Sequence, residues 1–147
     1  MRPTSLFNYA AITLLAGAIL HVGALLLGPE AIKFIGAPPN VVQSVADKTF
    51  YGPAITLAIA GLLAALAVLS FRAKTSAHKF IRLILWVFAV IFTVRGLLTF
   101  LLVPAIMAGR DGGNATLFWF HVGASVFVLT IGVALLLGLF KTRKIRQ

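Results

Sequence analysis

Residues 80–103 read FIRLILWVFAVIFTVRGLLTFLLV, and this stretch decides the class of fold. It is as long as the roughly 20 apolar residues that a helix needs to cross the hydrocarbon core of a bilayer. Its only charges are Arg82, near the start, and Arg95, well inside. An arginine near the middle of a membrane costs from about 3 to well over 10 kcal/mol, so Arg95 is interpreted as a functional residue that needs a partner.

Three further stretches have the same character, and the four runs cover about residues 9–27, 51–71, 80–103 and 117–140. The whole chain is 61% hydrophobic and 11% charged, whereas a soluble domain carries about 25% charged residues. Because the runs do not alternate between apolar and polar residues, they predict helices and not barrel strands. The sequence therefore predicts an all-α integral membrane protein, an antiparallel bundle of four transmembrane helices that forms a single membrane domain over residues 1–147.

The charges are distributed unevenly between the two sides of this predicted bundle. One side has only three cations, Lys33, Lys48 and Arg110, together with all three acids, Glu30, Asp47 and Asp111. By the positive-inside rule the other side is cytoplasmic, and both termini lie there. We therefore expect membrane lipids as partners, with a homo-oligomer or a larger membrane complex left open, and no nucleic acid. The basic residues of the cytoplasmic side are Arg2, Arg72, Lys74, Lys79, Arg82, Lys141, Arg143, Lys144 and Arg146.

The longest connection, residues 28–50, is predicted to cap the outer end of the bundle. Gly28-Pro29 ends the first helix, and the prolines of residues 36–39 forbid helix there. Asn40 is a plausible N-cap for a short amphipathic helix at the outer interface. Its apolar face would be Val41, Val42, Val45 and Ala46, opposite Gln43, Asp47 and Lys48. A loose interfacial linker is the alternative interpretation.

Two other boundaries leave alternatives. Pro104 is expected to end or kink the third helix, and residues 109–114 read as turn material before the fourth. The first run could instead be a cleaved secretory signal, with small residues at 16–18. It continues to Leu27, however, which is longer than the 7 to 15 residues typical of a signal's apolar region.

Three polar residues are predicted to lie at similar depths along their helices. His21 lies six residues before Leu27, and His121 lies four after Leu117. At 1.5 Å of rise per residue, both histidines should lie roughly 6 to 9 Å below the outer ends of their helices. By the same count Arg95 lies about 12 Å below its outer end, only slightly deeper.

Small residues share helical faces with these side chains, which favours an inward orientation. The sequence thus predicts an outward-facing polar pocket that receives an anionic group, such as a lipid headgroup. Its predicted lining is His21, Arg95, His121, Thr99, Ser125 and Tyr51.

The predicted counter-charge of Arg95 is open, because no carboxylate lies inside any apolar run. If the cap folds inward, Glu30 or Asp47 could pair with the guanidinium. Otherwise water, backbone carbonyls, the Tyr51 hydroxyl or a bound anion must do so. Arg95 could also serve only to clamp the bundle by bonding helix ends.

The two intramembrane histidines support one redox alternative. His21 and His121 at equal depth could be the axial ligands of a b-type haem, with Arg95 near a propionate, in a haem- or quinone-linked protein. Zinc is not expected at two ligands. The chain has no cysteine, which excludes covalent c-type haem attachment and thiolate catalysis.

No catalytic residues are predicted, since the chain shows no Gly-rich phosphate loop, paired carboxylates or serine–histidine–acid set. The spans also lack the glutamate on which small four-helix multidrug exporters depend for proton coupling. We therefore expect a binding or accessory protein without a cofactor and without enzymatic activity. A small transporter subunit is a further alternative.

Several short motifs carry a resemblance over the first hundred residues. They are His21 with Gly28-Pro29, then Gly36-Ala37-Pro38, Val41-Val42, Thr49, Pro53, Thr56-Leu57, Ile59-Ala60 and Arg95-Gly96-Leu97. With these the chain resembles a set of small four-helix bacterial inner-membrane proteins that have no assigned activity. The resemblance implies fold, topology and bacterial origin, and it implies that His21, the Gly-Pro loop and Arg95 belong together. It implies nothing about chemistry.

Overall fold

The structure is a computed structural model that describes residues 3–75, 78–110 and 115–144. Within these ranges the description covers the backbone alone at residues 99–100, 103–110, 115, 117–118 and 143–144. The described residues form six helices and no strand. The helices are α1 (Pro3–Leu27), α2 (Pro29–Phe34), α3 (Pro39–Ala46), α4 (Tyr51–Arg72), α5 (Lys79–Arg110) and α6 (Ala115–Lys144).

Four of these helices contain segments long and apolar enough to cross a membrane, which confirms that the four predicted runs are helical. The segments are Pro3–Leu27, Tyr51–Arg72, Lys79–Leu98 and Trp119–Thr142. Helix α5 continues through Pro104 to Arg110, so the prediction that this proline ends the helix is wrong, and the alternative of a kink there stays a prediction. A proline removes one backbone hydrogen bond, and long apolar helices tolerate that loss because neighbouring groups and local adjustments compensate for it.

The chain divides into two compact units, which are described separately. Unit 1 comprises Met1–Ala11 and Val68–Gln147, and unit 2 comprises Ile12–Ala67. The single membrane domain over residues 1–147 stays a prediction.

The centre of unit 1 is a close contact between α5 and α6, here called the seam. A Cβ added to Gly96 would lie 2.8 Å from the Cα of Leu129. A Cβ added to Gly132 would lie 2.6 Å from the backbone nitrogen of Thr93 and would also meet its Oγ1. Only glycine fits such an approach, as is common where helices pack in membranes. Leu129 of α6 thus contacts Gly96 of α5, whereas the later residue Gly132 contacts the earlier residue Thr93.

One end of unit 1, here called the basic end, brings four chain segments together. Lys74, just after α4, donates from Nζ to Oδ1 of Asn8 on α1 at 2.6 Å. The buried ring of Phe7 packs on Gly138 of α6, where an added Cβ would lie 3.1 Å from the ring. Arg82 of α5 donates from Nη2 to the Leu139 carbonyl at 2.9 Å. The start of α1 and of α5 therefore meets the end of α4 and of α6.

Unit 2 contains the predicted cap, which is built from two short helices. Ile32 of α2 is fully buried and clusters with Val41 of α3 and Ala24 of α1. Helix α2 was not predicted. Gly28 adopts φ 97° and turns the chain, so that Pro29 can occupy the first turn of a new helix, a position that proline favours.

Helix α3 confirms most of its predicted apolar face, since Val41 is buried, Val42 and Val45 are half-buried, and the opposite residues are exposed. Ala46 is exposed and does not belong to that face. The predicted N-cap is wrong, because Pro38 precedes the helix and Pro39 lies in its first turn. The rigid φ of Pro39 starts the helix two residues earlier than predicted, and Asn40 instead lies with Nδ2 3.4 Å from the Tyr51 hydroxyl.

Hydrogen bonds tie α3 to the start of α4 at what we call the cap corner. The buried N–H of Gly52 donates to Ser44 Oγ at 2.6 Å, and this oxygen lies 2.6 Å from Thr49 Oγ1. Thr49 N–H donates to the Ser44 carbonyl at 2.9 Å, across Lys48 at φ 55°. A Cβ added to Gly52 would lie 2.7 Å from the Val41 carbonyl oxygen. Within unit 2 the connection is therefore a packed cap and not a loose linker.

Candidate functional site

Arg95 lies near the middle of α5. It is 16 residues after Lys79 and 15 before Arg110, which corresponds to about 24 and 22 Å of helix. Its side chain is exposed. Among the described side chains none forms a hydrogen bond or an ion pair with the guanidinium. The structure therefore provides a cation, in an apolar helix, whose balancing group is not one of the described residues.

The seam sets the level of Arg95 relative to α6. Gly96 contacts Leu129, so Arg95, one residue earlier on α5, lies near the level of Thr130. The Thr130 hydroxyl forms a 2.8 Å hydrogen bond with the hydroxyl of Tyr9 on α1. Two hydroxyl groups thus lie at about the depth of the guanidinium. Nothing in the sequence links Tyr9 to Thr130, which are 121 residues apart.

The axial distance between His121 and Arg95 is larger in the structure than the sequence predicts. It is eight residues before Leu129 on α6, or about 12 Å along the helix axis. The expected depths were counted from helix ends at Val103 and Leu117, but α5 ends at Arg110 and α6 begins at Ala115. Within unit 1 Arg95 is therefore separated from His121 along the axis.

The other polar residues of α6 and α5 contribute less to a site. Ser125 is buried and donates its hydroxyl to the His121 carbonyl at 2.7 Å, so it satisfies the backbone of its own helix. The half-buried His121 ring meets Phe120 edge-on at a centroid distance of 5.7 Å. The side chain of Thr99 lies outside the described residues.

Two of the predicted pocket residues belong to unit 2. His21 is half-buried, and its Nδ1 lies 2.8 Å from the Gly17 carbonyl, to which it donates. The Tyr51 side chain is exposed beside Asn40. Because His21 and Tyr51 lie in unit 2 and Arg95, His121 and Ser125 in unit 1, the six-residue pocket stays a prediction.

The proposed counter-charges also lie in unit 2. Glu30 is exposed in the first turn of α2. Asp47 is exposed and accepts a 2.8 Å hydrogen bond from Nε2 of Gln43. Asp111 lies outside the described residues. Pairing of Glu30 or Asp47 with Arg95 stays a prediction.

The described residues contain no group of three or more histidine, aspartate or glutamate side chains that could hold a metal ion. Comparison with protein-family models, with curated proteins and with solved structures finds no match for this chain.

Proposed function

We propose that the chain is a multi-pass protein of a bacterial inner membrane, with four antiparallel spans and both ends in the cytoplasm. Four long apolar helices support the spans. The order of contacts along the seam supports opposite directions for α5 and α6, since Gly132 meets Thr93 whereas Leu129 meets Gly96. Nine of the 13 lysine and arginine residues lie on the side assigned to the cytoplasm, which supports the orientation.

We further propose that this protein binds an anionic group, such as a lipid headgroup, through Arg95. One observation carries the proposal: the guanidinium is exposed within an apolar helix and has no partner among the described side chains. Residues 51–110 contain no acid. A guanidinium offers five donors in a planar fork that fits a phosphate or carboxylate.

The low dielectric around such a helix strengthens this attraction. Two unit charges 4 Å apart interact by about 1 kcal/mol in water and about 4 kcal/mol at an effective dielectric constant of 20. An anion at Arg95 therefore offsets the energy of holding the arginine in the membrane.

The test compares Arg95→Leu with Arg95→Lys by native mass spectrometry of protein extracted from membranes in mild detergent. Wild-type protein is expected to carry an anionic adduct, which Arg95→Leu loses and Arg95→Lys retains in part, because lysine keeps the charge and loses the fork. Thermal unfolding of the same samples checks that the leucine variant is folded. An identical adduct pattern and melting temperature in all three proteins would show that Arg95 binds nothing.

A b-type haem held by His21 and His121 is the second candidate. The hydrogen bond from His21 Nδ1 to the Gly17 carbonyl favours it, because a metal-ligating histidine almost always donates its other ring nitrogen in this way. Protein expressed with ample haem should then show a Soret band that His21→Ala or His121→Ala abolishes. Colourless wild-type protein would exclude this candidate and leave the anion site unaffected.

A further inference from the structure

Helix α5 carries a row of exposed side chains, here called the exposed stripe. The row consists of Val87, Ile91, Arg95, Leu98 and Leu102, all of which are exposed. They follow one another at spacings of four, four, three and four residues, which places them on one face of the helix. Spacings of three and four are also the repeat by which one helix packs along another. The stripe is therefore a helix-packing face that includes one cation, and the described side chains leave it exposed.

The exposed stripe lies on a different face of α5 from the seam with α6. On α5 the seam is formed by Ala89, Thr93 and Gly96, which approach the backbone of α6. Each residue advances about 100° around an α-helix, so Ile91 and Leu98 lie roughly opposite the residues of the seam. A second helix can therefore pack on the exposed stripe without displacing α6.

The charge lies in the middle of the exposed stripe and not at one end. Two exposed apolar residues precede Arg95 on this face and two follow it, so the apolar surface extends roughly 10 to 12 Å on either side. A phospholipid carries its phosphate at one end of its acyl chains and therefore covers the apolar residues on only one side of the guanidinium. A transmembrane helix with a carboxylate inside its span covers both sides and reaches the cation as well.

We infer that the exposed stripe binds a transmembrane helix of another protein, and that a carboxylate of this helix pairs with Arg95. The inference rests on the proposed function, the binding of an anionic group by Arg95, and names a partner's carboxylate as that group. Ionisable residues inside a membrane pair with one another, and a guanidinium can form two parallel hydrogen bonds to a carboxylate.

The partner is a different chain and not a second copy of this one. The three acids of this sequence are Glu30, Asp47 and Asp111, and all of them lie outside the four apolar runs. A second copy could therefore cover the apolar residues of the exposed stripe but could not supply a carboxylate at the depth of Arg95. The chemistry instead requires a partner with an aspartate or glutamate inside an apolar span.

The experiment measures the binding of synthetic transmembrane helices to the whole chain in phosphatidylcholine vesicles by fluorescence energy transfer. Each peptide is a span of about 20 leucine and alanine residues. One carries glutamate at its centre, the second carries glutamine there, and the third carries the glutamate at one end. A polar contact between helices in a membrane changes affinity about 5- to 30-fold, so the central-glutamate peptide should bind more tightly than the other two by a factor in this range.

Substitutions in the protein test the same pair from the other side. Arg95→Gln should weaken binding of the central-glutamate peptide by the same factor, and Arg95→Glu should prefer a peptide with a central arginine. The matched control is Lys79→Gln, which removes an exposed cation of the same helix about 24 Å away and should leave the affinity unchanged. The comparison among peptides uses the unaltered protein, so it remains decisive if a variant does not fold.

Equal affinity for the central-glutamate and glutamine peptides would overturn the inference, as would equal weakening by Arg95→Gln and Lys79→Gln. Failure of this inference is distinguishable from failure of the proposed function. A phospholipid adduct that Arg95→Leu loses, without any preference for the central glutamate, would keep the anion site and assign it to a lipid phosphate. If neither the adduct nor the peptide binding depends on Arg95, both proposals are wrong.

Discussion

At the seam of unit 1 and at the cap corner of unit 2, a glycine lies so close to the neighbouring segment that a Cβ would collide with it. The two contacts differ in the interactions that accompany the close approach. At the seam Gly132 faces the backbone of Thr93, and Gly96 faces Leu129. At the cap corner Gly52 approaches Val41, and the approach is accompanied by a hydrogen bond from its N–H to Ser44. The seam lies between helix interiors, where backbone groups already bond within each helix, whereas the corner lies at a helix start with unpaired N–H groups.

Packing therefore dominates at the seam, and hydrogen bonding dominates at the cap corner. Between helix interiors close packing is obtained with small residues alone. At the first turn of α4 a side-chain oxygen must accept an N–H that has no partner in its own helix. A substitution that adds volume should therefore harm the seam most, and one that removes an acceptor should harm the corner.

Gly132→Ala is expected to have the largest effect. The added Cβ would collide with Thr93 and lie 3.0 Å from the Ala89 carbonyl oxygen, so the free energy of unfolding should fall by about 1 to 3 kcal/mol. Thermal unfolding in detergent measures the change. Gly123→Ala is the matched control, because a Cβ there would meet nothing within 4 Å, and it should leave stability unchanged or raise it by up to about 1 kcal/mol. Equal losses in both variants would contradict the close approach.

Ser44→Ala tests the corner and should have an intermediate effect. It leaves the buried N–H of Gly52 without its acceptor, which should lower the free energy of unfolding by about 1 to 2 kcal/mol. Asn40→Ala removes a longer bond between exposed side chains and should change stability by less than about 0.5 kcal/mol. Thermal unfolding of both variants provides the comparison, and a Ser44→Ala protein as stable as wild type would show that packing alone holds the corner.

Lys48→Gly should have the smallest effect, and of opposite sign. Lys48 is the only non-glycine among the described residues with a positive φ, at 55°, and it ends α3 in the conformation that glycine adopts most readily. Replacement should raise the free energy of unfolding by about 0.5 to 1 kcal/mol. Lys33→Gly, within α2, should lower it by about 1 kcal/mol. A fall in the melting temperature of Lys48→Gly would contradict this account.

Local sequence patterns predicted the long helices, but they failed where packing or backbone geometry determines where a helix begins or ends. The apolar runs predicted α1, α4, α5 and α6 because hydropathy over about 20 residues is a property of the chain itself. The short helix α2 was missed, since Pro29 reads as a stop after Gly28 but begins a new helix once Gly28 turns the chain. The extension of α5 beyond Pro104 was also missed, because a proline in a helical run does not reveal whether the helix continues after it.

The amino-acid sequence singles out the residues of the predicted site but does not give their arrangement. Arg95, His21 and His121 stand out because charged and titratable groups are rare in apolar runs. Their relative depth depends on where helices end and on which residues meet across the seam, and an error of a few residues at one end shifts the level by many ångströms. Tyr9 and Thr130 carry no signal, because neither hydroxyl is unusual in its own helix.

The amino-acid sequence by itself determined the number of apolar helices, the uneven distribution of charge and the presence of an arginine well inside the apolar run of α5, since each follows from the order of side chains along the chain. Only the tertiary structure decided that Arg95 lies level with Thr130 and that Ser44 caps α4. The level of Arg95 depends on the axial register of α5 and α6, which contacts such as those of Gly96 and Gly132 set, and the cap of α4 depends on the turn that connects it to α3.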